Sequence, residues 1–171
     1  IFDRSWYGRV LVERVEGFAQ EHEWKRAYRE INEFERQLHD DGVILIKLFL
    51  HLSKEVQYER FMERIREPTK RWKITVADLE SRRYWNEYQH AYEDMLNRTA
   101  TEVAPWFVLS ADDKDFARVN ALELLGKQLK KHVDLNRVNL LDPQVIAAII
   151  DQFGEDVLRE DLVQASHGQS D

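Results

Sequence analysis

The stretch VILIKLFL, residues 43–50, decides the predicted fold class of this 171-residue chain. Every residue in it except Lys47 is apolar. Such a nearly continuous apolar run is typical of a strand that is covered on both faces in a parallel sheet. We therefore interpret residues 43–50 as a central strand.

A second strand is predicted over PWFVLS, residues 105–110, and helical periodicity fills the sequence around the two strands. Local start and stop signals predict helices over residues 11–18, 23–40, 53–67, 78–96 and 114–133, with caps at Ser53, Asp78 and Asp112 or Asp113. Residues 68–76 have no period and are predicted to form a loop. Apolar stripes are expected at Trp24, Ala27, Tyr28, Ile31, Phe34 and Leu38, then at Tyr58, Phe61, Met62 and Ile65, and later at Phe116, Val119, Leu122, Leu125, Leu129 and Val133.

Strands that are separated by helices predict an α/β fold with a right-handed, doubly wound parallel sheet. Ligands of such sheets bind in the crevice at the carboxyl ends of the strands. Ile1 and Phe2 are interpreted as the last residues of a strand whose earlier part is missing, so we expect the chain to be an N-terminally truncated fragment. Residues 134–171 are expected to form a helical or partly disordered tail, with a helix from Asp142 to Phe153 and a frayed end.

Composition excludes several classes of protein. A net charge of −7 argues against a nucleic-acid partner, and the 43% hydrophobic content is sufficient for a buried core. The absence of cysteine excludes disulfides and thiolate metal sites and fits a cytoplasmic location. No apolar run is long enough to span a bilayer, so we expect no membrane partner. The histidines lack the spacing of a metal site.

Asp3 follows the apolar pair Ile1-Phe2, where a carboxylate would enter the crevice of an open α/β sheet. A carboxylate there can hold Mg²⁺ or one of its waters, as in the Walker B segment of P-loop proteins. The alternative interpretation is that Asp3 only caps the following helix. Arg4 and Arg9 flank Asp3, and arginine donates bidentate hydrogen bonds to phosphate oxygens.

A second candidate is the basic segment RIREPTKRWK, residues 64–73. Its only acidic residue is Glu67. A charge run on a helix is usually a solvated face. This segment, however, extends over a proline-terminated helix and an aperiodic stretch, so its cations can converge on one side. It is predicted to be a lid over a polyanion.

The phosphate-binding loop of P-loop enzymes is absent from this sequence. That loop requires Gly-x-x-x-x-Gly-Lys, whose backbone amides surround the phosphates. The only Gly-Lys pair is Gly126-Lys127, inside a predicted helix.

Taken together, these motifs closely resemble the polyphosphate kinase 2 family, P-loop kinases that move phosphoryl groups between inorganic polyphosphate and nucleotides. The resemblance covers residues 1 to about 133 and rests on several segments in the family's order. They are Phe2–Arg9 with Val12–Phe18, Phe34–Leu38, Gly42–Leu52, Arg60–Lys73, Trp85–Tyr88, Met95–Trp106 and Asp112–Arg118.

The resemblance implies a P-loop kinase-like sheet with flanking helices, without the N-terminal strand and Walker A loop that precede this segment in the family. Residues 1–133 would be the C-terminal part of the kinase domain, with a lid over about 64–83. The resemblance implies roles for these residues: Asp3 as the Walker B carboxylate near Mg²⁺, Arg4 and Arg9 as phosphate contacts, Arg64, Lys70 and Lys73 as lid cations, and Asp78 as the acidic residue beyond the lid.

The segments around Arg9 and Glu13 resemble those of the family branch that phosphorylates AMP to ADP. We also expect the protein to form a homo-oligomer. Three departures from the family pattern leave the acceptor nucleotide open: Gly8 in place of asparagine, Glu67 in place of the lid aspartate, and residues 74–77 in place of a Ser-Pro stretch. Two alternatives stay open as well. One is an inactive nucleotide- or polyphosphate-binding domain, and the other is single-strand nucleic-acid binding through Trp72 and its basic neighbours.

Overall fold

A computed structural model describes residues 1–3, 5–133 and 141–154. Its elements are, in order, a 3₁₀ helix (Trp6–Val10), α1 (Val12–Val15), α2 (Glu21–Asp40), β1 (Lys47–His51), α3 (Lys54–Arg66), a second 3₁₀ helix (Pro68–Lys73), α4 (Val76–Arg83), α5 (Trp85–Thr99), β2 (Trp106–Ser110), α6 (Lys114–His132) and α7 (Pro143–Phe153). The chain divides into two compact units, residues 1–125 and 126–171. In the described ranges, no helix is long and apolar enough to cross a membrane.

The two strands of the described residues form a parallel pair. Lys47 lies opposite Trp106 at one end of the pair, and His51 lies opposite Ser110 at the other. Parallel neighbours need a long crossover, which here contains α3, α4 and α5. The predicted α/β class with a parallel sheet is confirmed to this extent, in a chain that is rich in helix.

The predicted bounds and burial of the first strand are partly wrong. The strand begins at Lys47 instead of Val43, since Lys47 is the first residue paired with β2. Val43 belongs to the end of α2, where its amide donates to the Leu38 carbonyl at 2.9 Å. Gly42 supports this ending with a φ of +84°, which glycine adopts without strain. The two faces also differ, since the Phe49 ring packs on Tyr92 whereas Leu50 is 54% exposed.

The start of the chain also differs from the prediction. Ile1 and Phe2 are exposed and lie outside both strands of the described part, since two terminal residues without a hydrogen-bonded neighbour form no ladder. The predicted first helix, residues 11–18, is shortened to α1 (Val12–Val15), and a 3₁₀ helix precedes it over Trp6–Val10. Phe18, assigned to that helix, is exposed beyond its end.

A compact core joins the first 3₁₀ helix, α2 and α5. Helix α2 is confirmed and begins at Glu21, two residues earlier than predicted, because Gln20 and Glu23 form a capping box. Its apolar stripe is buried at the centre of the helix, while Phe34 is partly exposed. The buried core residues are Tyr7, Val10, Ala27, Tyr28, Ile31 and Met95.

The predicted limits of α3 are confirmed, but its predicted buried face is confirmed only in part. The Ser53 hydroxyl accepts a hydrogen bond from the Val56 amide at 3.3 Å, and the helix ends before Pro68. Phe61 is buried, whereas Tyr58 and Ile65 are exposed, because little of the described chain covers that side of the helix.

The segment between α3 and β2 is more structured than predicted. Residues 68–73 form a 3₁₀ helix instead of a loop, with Pro68 supplying a helical φ at its first position. The cap of the next helix is Thr75, not Asp78. The long helix predicted from Asp78 is interrupted at Tyr84, which separates α4 from α5.

Helix α6 has the predicted cap and an unexpected surface. The Asp113 carboxylate accepts hydrogen bonds from the amides of Asp115 and Phe116, each at 2.8 Å, so Asp113 and not Asp112 is the capping residue. Much of its apolar stripe is exposed to solvent, since Ala117 is the one residue of α6 that is buried in the described part of the chain. The exposed positions are Phe116, Val119, Leu122 and Leu129.

The predicted helix near the end of the chain is confirmed as α7. The Asp142 carboxylate accepts a hydrogen bond from the Gln144 amide at 2.7 Å, and Pro143 occupies the first helical position. Gly154 ends the helix with a φ of +84°. The predicted frayed segment, residues 166–171, lies outside the described residues.

Candidate active site

Asp3 lies at an exposed bend just before the first 3₁₀ helix. The residue at the N-cap of that helix is Ser5, so the alternative interpretation of Asp3 as a helix cap is wrong. With the residues that the structure describes, the Asp3 carboxylate forms no hydrogen bond or ion pair. It is therefore accessible to a hydrated cation.

The structure describes one of the two arginines near Asp3. Arg4 lies outside the described residues. Arg9 is the last basic residue of the 3₁₀ helix, and its Nε lies 3.1 Å from the Glu13 carboxylate one helical turn later. Both side chains are partly exposed, so this pair contributes little to stability and an anion could replace Glu13.

The basic segment forms a tight hairpin of helices. Arg64 near the end of α3 donates to the Lys73 carbonyl at 3.3 Å, and Arg71 donates from Nε to the Ile65 carbonyl at 2.9 Å. The Lys73 ammonium lies 5.2 Å from the centre of the Trp72 ring, which is 76% exposed. These contacts fold the second 3₁₀ helix back onto the end of α3.

Lys70 forms an ion pair with Glu63 of α3 within this hairpin. The hydrogen bond from Lys70 and its positive charge hold the pKa of Glu63 below its usual value, and Glu63 raises the pKa of Lys70. Both side chains are about half exposed, and ion pairs in such positions are weak and screened by salt. Lys70 is therefore held by a partner that a polyanion could displace.

Asp78 has a clear structural role at the start of α4. Its carboxylate accepts a hydrogen bond from the Thr75 amide at 2.8 Å, and the Thr75 hydroxyl accepts one from the Asp78 amide at 3.2 Å. This reciprocal capping box fixes where α4 begins after the basic segment. A ligand-binding role for Asp78 stays a prediction.

The predicted site residues thus fall into two groups. Arg64, Lys70 and Lys73 belong to one hairpin, while Asp3 and Arg9 belong to the segment around the first 3₁₀ helix. No hydrogen bond or ion pair joins the two groups in the ranges that the structure describes. The role of the hairpin as a lid over a polyanion stays a prediction.

The carboxyl ends of the two strands are joined by polar contacts. The Asp112 carboxylate accepts a hydrogen bond from the Ser53 amide at 2.7 Å, which lowers the pKa of Asp112. Arg60 donates to the carbonyls of Ala111 and Asp112 at 2.6 and 3.0 Å. The loops that follow β1 and β2 are therefore held together at the edge where ligands of parallel sheets bind.

The sequence interpretation missed a buried polar cluster at the amino ends of the two strands, formed by Tyr7, Glu35, Lys47 and Thr99. Lys47 Nζ donates to the Glu35 carboxylate at 2.7 Å, to the Thr99 carbonyl at 2.7 Å and to the Tyr7 hydroxyl at 3.0 Å. The Tyr7 hydroxyl in turn donates to the other Glu35 oxygen at 2.6 Å. Glu35 is completely buried, and Lys47 is 7% exposed.

Burial shifts the ionisation of this cluster. Removal from water raises the pKa of the Tyr7 phenol above its ordinary value, and the hydrogen bond to Glu35 raises it further. Burial also lowers the pKa of Lys47, an effect that the Glu35 carboxylate opposes. Two signals in the sequence could have revealed the cluster. Lys47 interrupts an apolar run, and Glu35 lies at helical spacing from the buried Tyr28 and Ile31.

Comparison with known proteins supports the resemblance described above. Residues 1–136 match the sequence profile of Polyphosphate kinase 2 (PPK2). The chain is 53% identical over 131 residues to "Polyphosphate:AMP phosphotransferase" of Pseudomonas syringae pv. tomato, covering 77% of this chain and 26% of that protein. It is 45% identical over 129 residues to "ADP-polyphosphate phosphotransferase" of Pseudomonas aeruginosa, covering 75% of this chain and 42% of that protein.

A solved structure gives the same result. The crystal structure of Polyphosphate Kinase 2 from Arthrobacter aurescens TC1 superposes with a TM-score of 0.77 at 36% identity, covering 88% of this chain and 53% of that one. The chain spans about a quarter of the length of the Pseudomonas syringae relative. Because the family profile matches most of the sequence, the chain belongs to the polyphosphate kinase 2 family.

Proposed function

We propose that the protein carrying this segment transfers the terminal phosphoryl group of inorganic polyphosphate to a nucleotide, with AMP as acceptor and ADP as product. The observation that carries the proposal is the 53% identity to a polyphosphate:AMP phosphotransferase over most of the chain. The exposed cations of the basic segment support it, since a polyphosphate chain needs neutralising charges along its length. The 45% identity to a relative named for ADP makes the acceptor the first point to test.

In the proposed reaction, a phosphate oxygen of AMP attacks the terminal phosphorus of polyphosphate in line with the bridging oxygen. The phosphoanhydride bond breaks, its electron pair stays on the shortened polyphosphate, and a new phosphoanhydride forms in ADP. No covalent enzyme intermediate is needed. Positioning and charge neutralisation supply most of the catalysis in such transfers.

The residues of this chain have distinct roles in the proposal. Asp3 would hold Mg²⁺, which neutralises charge on the reacting phosphates when bound. A single exposed carboxylate suits this ion, which commonly keeps several waters and binds substrate phosphates as well. Arg4 and Arg9 would contact the phosphates next to Asp3 as the resemblance implies, and Arg9 would exchange Glu13 for phosphate.

The basic hairpin is proposed to be the lid. Arg64, Lys70 and Lys73 would bind the phosphate chain and exclude water when the lid closes. Their present partners support this role, because an exposed carboxylate, a carbonyl and an aromatic face can be exchanged for phosphate oxygens. The P-loop fold and the Walker B role of Asp3 belong to this proposal too, as does a domain boundary near residue 133.

The experiment uses the full natural chain that contains residues 1–171, incubated with polyphosphate and either AMP or ADP, with nucleotides separated by chromatography. We expect ADP to form from AMP faster than ATP forms from ADP. Asp3→Asn should abolish transfer and leave thermal unfolding unchanged. Asp41→Asn, which alters another exposed carboxylate, is the matched control and should keep full activity.

Polyphosphate binding without transfer to either nucleotide would replace the proposed activity with the binding-domain alternative. A mobility shift with single-stranded nucleic acid that polyphosphate fails to compete would favour the nucleic-acid alternative. The cytoplasmic location and the homo-oligomeric assembly stay predictions.

A further inference from the structure

The buried cluster of Tyr7, Glu35, Lys47 and Thr99 joins three parts of the first unit. Glu35 belongs to α2, Lys47 begins β1, and the Thr99 carbonyl ends α5. Tyr7, in the first 3₁₀ helix, is bound by both charged side chains through one hydroxyl. The cluster therefore connects the 3₁₀ helix that follows Asp3 to the sheet and to two helices.

Stability alone is a poor explanation for such a cluster. Removing a carboxylate and an ammonium from water is unfavourable, and well-packed apolar residues of similar volume often stabilise a protein as much or more. Directional hydrogen bonds do supply a unique orientation, which apolar contacts do not. The partners that the cluster orients are therefore informative about its role.

The oriented partners are the aromatic residues nearest to Asp3. The Trp6 indole N–H donates to the Glu35 oxygen that also accepts from Tyr7, at 3.1 Å. The Phe2 ring packs on the Trp6 ring with a centroid distance of 5.5 Å. Asp3 therefore lies in the chain between Phe2 and Trp6, of which Trp6 is bound directly by Glu35 and Phe2 contacts Trp6.

We propose that Glu35, Lys47 and Tyr7 are positioning residues that hold the Asp3 segment against the sheet in the geometry required for phosphoryl transfer. Lys47 neutralises and orients Glu35, and Glu35 fixes Trp6 and Tyr7. This inference rests on the proposed function, because it takes the Asp3 carboxylate as the group to be positioned. A displacement of about 1 Å at a reacting group can reduce the rate about 100-fold.

The principal test compares two matched variants, Tyr7→Phe and Tyr28→Phe, in the full natural chain. Both tyrosines are buried in the same core, and each variant loses one hydroxyl with a charged partner, Glu35 for Tyr7 and Arg14 for Tyr28. Tyr7→Phe should reduce kcat about tenfold or more and leave the KM for polyphosphate within about twofold. Tyr28→Phe should leave kcat within about twofold, although both lower the unfolding temperature by a similar amount.

Amide hydrogen exchange supplies a measurement that does not depend on activity. Tyr7→Phe should accelerate exchange in the peptide covering residues 1–11 and leave α2 and β1 unchanged. Glu35→Gln should give the same pattern more strongly. If Glu35→Gln does not fold, Glu35→Gln combined with Lys47→Met removes both buried charges and still tests the loss of orientation.

The outcomes separate the two claims. Equal kcat in the two tyrosine variants, or unchanged exchange of residues 1–11 in Tyr7→Phe, overturns the positioning role. Transfer absent from the wild-type protein overturns the proposed function instead, and faster exchange confined to residues 1–11 would then still support the anchoring of that segment by the cluster.

Discussion

Lys47 Nζ lies 2.7 Å from the Glu35 carboxylate, and both side chains are buried. The pair connects the first residue of β1 to α2, and it is the one ion pair of the described residues in which both partners are buried. The other ion pairs of that part of the chain are at least partly exposed, and most join residues one helical turn apart. This difference predicts a large difference in their contributions to stability.

Lys47→Met is expected to lower the free energy of unfolding by about 3–5 kcal/mol, because it leaves the Glu35 carboxylate buried without its counterion. Arg26→Ala, which removes an exposed helical pair with Glu30, is the control and should change it by less than about 0.5 kcal/mol. Chemical denaturation of the two variants provides the measurement. A Lys47→Met protein as stable as the control would show that the Lys47–Glu35 pair does not stabilise the fold.

Lys70→Gln is expected to reduce kcat for transfer roughly 10- to 100-fold, as the loss of one charge that stabilises a transition state commonly does. The reason is that Lys70 would contact the transferring phosphates when the lid closes. Lys25→Gln removes a surface ammonium that pairs with Glu21 outside the lid, and it should leave kcat unchanged. Equal kcat values for the two variants would show that Lys70 does not contribute to phosphoryl transfer.

Glu63→Gln should act in the opposite direction by releasing Lys70 from its carboxylate partner. We expect the KM for polyphosphate to fall about twofold at low salt and to approach the wild-type value at high salt, because exposed ion pairs are screened. Glu59→Gln changes a neighbouring exposed carboxylate on α3 and serves as the control. An unchanged KM at low salt would mean that Glu63 does not compete with the phosphate chain.

The environment of the Tyr88 phenol predicts a loss of stability in alkaline solution. Burial raises the pKa of its phenol, and the hydrogen bond to Glu16 at 2.9 Å raises it further. A raised folded-state pKa gives stability that is present below the unfolded value of about 10 and is lost as pH rises beyond it. Tyr88→Phe should therefore make the decline in stability above about pH 10 shallower.

The ionisation of Tyr88 can be measured as the difference in phenolate absorbance between the wild-type protein and Tyr88→Phe. Glu16→Gln should lower the pKa of Tyr88 in the same titration, because it removes the negative acceptor. A parallel decline in stability for wild type and Tyr88→Phe would exclude the link between this phenol and alkaline unfolding.

Some features of this protein were determined by the sequence itself, because their physical causes lie within a few residues. The Ser53 cap, the end of α3 before Pro68 and the positive φ of Gly42 follow from local hydrogen bonding and sterics. The order of motifs from Phe2 to Arg118 was likewise enough to predict the family. The prediction erred even locally at Thr75, where a threonine three residues before Asp78 is the cap.

Only the tertiary structure decided which surfaces and charges are buried. The first strand begins at Lys47 because its ladder extends only along the five residues of β2, a partner remote in sequence. Lys47 is buried against Glu35 of α2, and Trp6 and Tyr7 of the first 3₁₀ helix donate to the same carboxylate. Contacts of this kind depend on elements distant in the chain, so the local pattern of polar and apolar residues marks Lys47 and Glu35 as unusual but does not specify their partners.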